Sequence, residues 1–152
     1  MVDANDMPGH LIRRLQQSAV AIFHQEVEGA GLDLTPVQFA ALDQVARAPD
    51  IDQVTLAGLI AHDRTTITGV VDRLAAKGLL TRTVSKTDRR ARTLNVTQDG
   101  LALLARVRPH VEAAQVAMLQ GLEAPERDEF LRLMKKALEA INALSRAPLK
   151  QV

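Results

Sequence analysis

A chain of 152 residues with 47% hydrophobic and 24% charged side chains is long enough to bury a core, and its length predicts one domain spanning 1–152. Three Phe with no Tyr or Trp oblige that core to be built from Leu, Ala, Val and Ile, and the absence of Cys excludes a disulfide framework and a thiolate metal site. No segment approaches the roughly 20 apolar residues of a membrane span, and a start carrying Asp3 and Asp6 does not read as a secretory signal, so a cytoplasmic protein is expected.

With Asp6 available as a cap, the first helix is predicted from Pro8 to about Val27, ahead of Gly29 and Gly31. Leu11, Leu15, Ala19, Ile22 and Phe23 form its apolar stripe. The second helix carries a fuller start signal. Thr35 stands at the N-cap, Pro36 at N1, and Gln38 completes a T-x-x-Q capping box, with Leu34 stapled against Phe39. That helix should end before Pro49. Asp52 caps a short third helix through Ile60, and the Ala61–His62 turn leads directly into a fourth. Two helices joined so tightly make a helix-turn-helix.

The segment from Asp63 to Gly100 is the most informative. Asp63 is a natural N-cap, Ile67, Val70, Val71 and Leu74 form one buried stripe, and Gly78 closes the helix as a left-handed stop. Thr65, Thr68, Gly69, Asp72 and Ala76 fall on the water-facing side, poor in long side chains and able to lie close against another surface. Two strand-like stretches follow, Thr81–Val84 and Ala91–Val96, joined by the polar turn Ser85–Arg90. Helix, arginine-rich hairpin, helix is the order of a winged helix. From Asp63 to Arg92 there are eight basic and three acidic residues, a local charge of +5 in a chain of +1, which leaves −4 for the rest. Such a cluster is the footprint of a polyanion partner. The candidate DNA contacts are Arg64, Thr65, Thr66 and Arg73 on the helix and Lys86, Arg89, Arg90 and Arg92 on the hairpin, with Arg90 at its tip and Asp88 placed to orient a neighbouring guanidinium.

Thr97 then caps a long helix to about Leu119, and Pro125, with Glu126, Asp128 and Glu129 in the first turn, opens the last one. Pro109 removes one backbone donor and predicts a kink. Leu101, Leu104, Val107 or Arg108, Val111, Val116 and Leu119 should face inward in the long helix. Phe130, Leu133, Met134, Leu138, Ile141 and Leu144 should do so in the last. These stripes suit a second subunit, so 8–30 and 98–145 are expected to dimerise and 35–97 to form the DNA-binding lobe. Packing within a monomer is the alternative. Residues 1–7 and 146–152 should fray.

Nothing in the sequence carries catalysis. His10, His24, His62 and His110 match no metal-ligand spacing, and there is neither a nucleophile elbow nor a phosphate-binding glycine loop, so no enzyme, metal or cofactor is expected. The rival reading is a winged-helix protein-interaction module, which would show an apolar or acidic exposed helix face. Threonines, Gly69 and arginines stand there instead.

The run Asp88-Arg-Arg-Ala-Arg-Thr-Leu-Asn-Val-Thr-Gln-Asp-Gly100, together with Asp72-Arg73-Leu74 and Lys77-Gly78-Leu79, resembles the wing and recognition-helix end of the MarR (multiple antibiotic resistance regulator) family. The likeness extends from about His10 to Leu144, with Gly69 departing from relatives that carry a larger polar residue. It implies a mainly α fold of about six helices with a two-stranded wing, acting as a homodimeric transcription regulator. In this family that is most often a repressor on an inverted-repeat operator, released by a small organic effector. By the same resemblance Arg90 would be the wing arginine that enters the minor groove, and Arg64, Thr65, Thr66 and Thr68 the recognition-helix contacts, which adds Thr68 to the candidates. Without Cys, the oxidation switch of some relatives is closed to this chain. Pro8-Gly-His-Leu-Ile-Arg-Arg14 and Leu34–Phe39 resemble the subgroup controlling aromatic or heteroaromatic acid catabolism. His10 and Arg14, one turn apart, can present donors to one carboxylate, and Phe23, Gln38 and Phe39 complete the candidate effector contacts. Arg13 and Arg14 can equally be solvated or pair with acids across a dimer.

Overall fold

The computed structural model describes residues 3–150. After a 3-10 turn at Ala4–Asp6, six helices follow: α1 (Pro8–Gly29), α2 (Pro36–Arg47), α3 (Gln53–Leu59), α4 (Arg64–Ala76), α5 (Gln98–Met118) and α6 (Ala124–Ile141). The strands are β1 (Ile51–Asp52), β2 (Leu80–Val84) and β3 (Arg92–Val96).

Most helix ends form where the side chains dictate. The Thr35 hydroxyl accepts from the Gln38 N–H while the Gln38 side chain accepts from the Thr35 N–H, closing the capping box. Asp52, Asp63 and Thr97 cap α3, α4 and α5 through their side-chain oxygens. At the end of α4, Gly78 takes φ +72°, so the Leu79 N–H reaches the Leu74 carbonyl and the Gly78 N–H reaches that of Ala75. Two starts differ from expectation. Asp6 lies inside the 3-10 turn and Met7 is the N-cap of α1 without a side-chain bond; Asp3 caps the turn instead. The last helix starts at Ala124, one residue before Pro125, with Glu123 as its N-cap, whose N–H donates to the Glu126 carboxylate. The long helix α5 runs on through Pro109.

The sheet has three strands, not two. The antiparallel order is β1-β3-β2, with Ile51 opposite Leu94 and a full ladder from Leu80–Val96 to Val84–Arg92. The third strand is only two residues long, held by a side-chain clamp. The Asn95 amide donates to the Asp50 carboxylate, and its oxygen accepts from the Asp50 N–H.

One apolar core joins Phe23 and Val27 of α1, Leu42 and Val45 of α2, Leu56 of α3, Ile67 and Leu74 of α4, Leu94 of β3 and Val107 of α5. Each fully buried aliphatic side chain contributes about 1.5–3 kcal/mol of transfer free energy. The α1–α5 contact is extensive and makes α5 the beam on which the rest is mounted.

Several residues expected inside are outside in a single chain. In α5, Val107 is buried, and so are Leu104, Val111 and Ala114, but Leu101 and Val116 are exposed and Arg108 turns away to a carboxylate. In α6 no residue is buried among the described residues; Leu133, Leu138 (59% exposed) and Ile141 face water, as does Leu144 in the 3-10 turn after it, and Phe130 and Met134 are half-buried. Leu11 of the α1 stripe is likewise exposed, and so is Ile12, which lies outside that stripe. For α6 the reason is that, among the described residues, it packs substantially only on the turn after it.

The chain after α6 is better tied than the predicted fraying. Asn142 exchanges two hydrogen bonds with the Leu149 backbone, and the Lys150 N–H donates to the Gly58 carbonyl of α3. The fraying expected at 1, 2, 151 and 152 lies outside the described residues.

One ion-pair group fastens α2 to α5. Asp43, only 18% exposed, accepts from Arg47 at 2.7 Å and from Arg108. Burial pushes its carboxyl up, but hydrogen bonds from both guanidiniums, reinforced by their charges, hold it below the usual carboxylate range. A carboxyl lowered in the fold adds stability above its unfolded value, near 3.9, and loses it as pH falls through the lower folded value. Melting midpoints should therefore drop on acidification below about pH 4, and Asp43→Asn should flatten that part of the pH profile.

Candidate nucleic-acid interface

The exposed side of α4 and the hairpin β2–β3 carry the basic cluster, and the structure sorts its cations into two kinds. Lys77 bonds the Asp33 carboxylate at 2.7 Å and Arg82 pairs with Asp72, which ties the hairpin to α4. Arg64, Arg73, Lys86, Arg89, Arg90 and Arg92 have no carboxylate partner among the described residues, and all six are exposed. The two internally neutralised cations are the two that were not among the candidate contacts.

The hairpin tip is shaped by its own side chains. Ser85 Oγ accepts from the N–H groups of Thr87 and Asp88, and Asp88 accepts from the Arg90 N–H at 2.9 Å. Asp88 therefore orients backbone, not the neighbouring guanidinium that was expected. With the turn closed this way, the Lys86, Arg89 and Arg90 side chains are left to solvent.

On α4 the candidate threonines are not equivalent. Thr65 is exposed and makes no side-chain hydrogen bond among the described residues. The Thr66 hydroxyl donates to Asp63 at 2.8 Å, so it belongs to the helix cap. Hydrogen bonds from the Thr66 N–H and hydroxyl in turn hold the Asp63 carboxyl below its ordinary range. The Thr68 hydroxyl donates to the Arg64 carbonyl and accepts from Gln53 Nε2, both at 2.8 Å. Gln53, at the start of α3, and the Asp72–Arg82 pair escaped the sequence reading. Nothing in the local pattern announces partners 15 and 10 residues away.

The candidate effector residues fall into two separate groups. Phe23 and Phe39 meet with ring centroids 6.5 Å apart, and His24 stacks edge-on against Phe23 at 6.0 Å. Gln38 is 5% exposed, and its side-chain oxygen is committed to the capping box. His10 and Arg14 sit nearer the start of α1, about 20 Å and about 14 Å from Phe23 by helical rise; His10 is half-buried and Arg14 exposed. Within one chain these two groups do not converge. A cavity of about 940 Å³ opens instead between the end of α6, Ala61 and Leu149, and none of the five lines it. Among the described residues no group of His, Asp and Glu is placed to hold a metal ion, and no helix is long and apolar enough to cross a membrane.

The MarR family profile matches residues 32–91, α2 through the hairpin tip, which include every candidate DNA contact except Arg92. The HTH-type transcriptional repressor NicR of Pseudomonas putida is 31% identical over 91% of this chain and 86% of its own. The chain belongs to the MarR family of winged-helix transcriptional regulators. Among solved MarR-family structures, PcaV of Streptomyces coelicolor in complex with its natural ligand superposes with a TM-score of 0.84 at 32% identity, covering 92% of this chain and 97% of that one. BpsR of Bordetella bronchiseptica, whose DNA binding is regulated by 6-hydroxynicotinic acid, gives 0.85 at 31% identity over 90% and 96%.

In this MarR-family chain Gly69 lies mid-helix on the outward face of α4, and a Cβ built there meets nothing within 4 Å. A helix-interior glycine costs about 0.5–1 kcal/mol relative to alanine. Gly69→Ala should therefore raise the melting midpoint by a few degrees, about 0.5–1 kcal/mol, and weaken DNA binding if the groove edge approaches that backbone. Melting and duplex titration on the same preparation check both.

Proposed function

We propose that this regulator is a homodimeric repressor that binds an inverted-repeat operator and leaves it when a small aromatic or heteroaromatic acid binds. The observation that carries the DNA reading is the division of the basic cluster: six exposed cations unpaired on α4 and the hairpin, and the two others neutralised within the fold. A backbone of phosphates is the partner such a surface fits. The exposed apolar residues of α6 and of the first turns of α1 support a second copy, which would cover them. The units we assign are 8–30 with 98–145 for dimerisation and 35–97 for DNA. The effector class is supported by PcaV with its natural ligand and BpsR with 6-hydroxynicotinic acid. For its site we retain His10 and Arg14 as carboxylate donors and Phe23, Gln38 and Phe39 as the ring end, acting from different subunits if from one site. A protein that works on DNA through this surface belongs in the cytoplasm, and we assign it no catalytic role.

Footprinting on duplexes selected from a random pool tests the reading. Two recognition helices related by a two-fold axis should protect half-sites about 10 bp apart. A single asymmetric half-site would sink the dimer, and equal binding to all duplexes would leave only the protein-interaction alternative. Adding 6-hydroxynicotinic acid or a hydroxybenzoate at 100 times its dissociation constant should stabilise the fold by about 2.7 kcal/mol and release the duplex.

A further inference from the structure

The Thr68 hydroxyl has one proton and two lone pairs. The proton goes to the Arg64 carbonyl and one lone pair takes a proton of the Gln53 amide. What Thr68 still offers to an outside partner is its methyl group and a single lone pair, on an exposed position next to half-buried Gly69, which has no side chain and where a Cβ would meet nothing within 4 Å. The bridge to Gln53 also crosses from α3 to α4, so it holds the side chain from outside its own helix. A threonine tied only to its own helix loses one hydrogen bond when its side chain swings to another rotamer; Thr68, held also from α3, would lose two.

We propose that Gln53 is a positioning residue that sets base specificity: it turns the Thr68 hydroxyl inward, so that the Thr68 methyl beside Gly69 selects thymine through its C5-methyl group. This rests on the DNA reading above. Thymine is distinguished in the major groove by that methyl, and apolar contact is the way a side chain reads it. The arrangement also gives the bare Gly69 backbone a purpose, because a methyl–methyl contact requires the helix to lie close to the base edge.

The test uses the full chain and the duplex it selects from a random-sequence pool, with each thymine replaced in turn by deoxyuridine, which removes only the methyl. One replacement should weaken the parent protein by about fourfold, what hiding one methyl from water contributes, and should not affect Thr68→Ala. Thr68→Val keeps the methyl and should keep that thymine preference. Gln53→Met, which removes the donor at similar volume, should erode the preference at that base pair and leave the salt dependence of binding unchanged, with helicity and melting checked for both variants. If no thymine behaves this way, if Thr68→Val loses the preference as Thr68→Ala does, or if Gln53→Met reads every base pair as the parent does, the proposal fails. Failure of the parent to select any duplex would instead overturn the DNA reading itself.

Discussion

Arg90→Ala should weaken operator binding tenfold or more, about 1.4 kcal/mol, while the melting midpoint and the dimer stay nearly unchanged. The side chain stands exposed at the hairpin tip, and the turn does not depend on it: Asp88 holds the Arg90 backbone N–H, which alanine retains, and Ser85 holds the N–H groups of Thr87 and Asp88. A guanidinium at the end of such a hairpin suits the minor groove, whose negative potential is strongest where A·T tracts narrow it. Loss of one phosphate-type contact should make the slope of log affinity against log salt shallower by about 0.9. Titrations at three salt concentrations on one selected duplex read both numbers. An unchanged affinity with an unchanged slope would pass the role to Arg89 or Arg92.

The other large effect is on stability. Gly100→Ala should cost about 1–3 kcal/mol, a fall in melting midpoint of roughly 2–10 °C for a chain of this length. A Cβ at Gly100 would stand 2.3 Å from the Leu79 carbonyl oxygen and 2.6 Å from Val96 Cγ1. The first obstacle is backbone and cannot swing away. That carbonyl already accepts from the Thr97 N–H, and the Thr97 hydroxyl donates to the Gly78 carbonyl while accepting from the Gly100 N–H. The end of α4, the end of β3 and the start of α5 are thus one hydrogen-bonded knot. Because the knot joins recognition helix to wing, the variant should also bind DNA less well. Trimming the side-chain obstacle with Val96→Ala should rescue little of the melting loss. Full rescue would mean the Leu79 backbone had room to move.

The helix starts at Thr35, Asp52, Asp63 and Thr97 were legible because each cap is settled within three residues: a side-chain oxygen meets an N–H of its own first turn, and no distant part of the chain is consulted. The buried stripe of α4 and its Gly78 stop were legible for the same reason, since helical period and φ are local properties. The basic surface could be read as a composition, and so could its likeness to the MarR wing.

What only the tertiary structure decided is which groups meet across long stretches of chain. A two-residue strand has no period to detect; Ile51–Asp52 exists because β3 lies beside it and Asn95 clamps Asp50, 45 residues earlier. Which cations are free is a matter of where Asp33 and Asp72 come to rest, and charge counting treats paired and unpaired arginines alike. The need for glycine at position 100 arises from the approach of a carbonyl 21 residues away in sequence, whereas at Gly69 the space is empty. The apolar stripe of α6 was correctly seen as a stripe, but periodicity names only the side of a helix that seeks cover. Burial requires a neighbour within reach, and among the described residues of a single chain α6 packs substantially only on the turn that follows it.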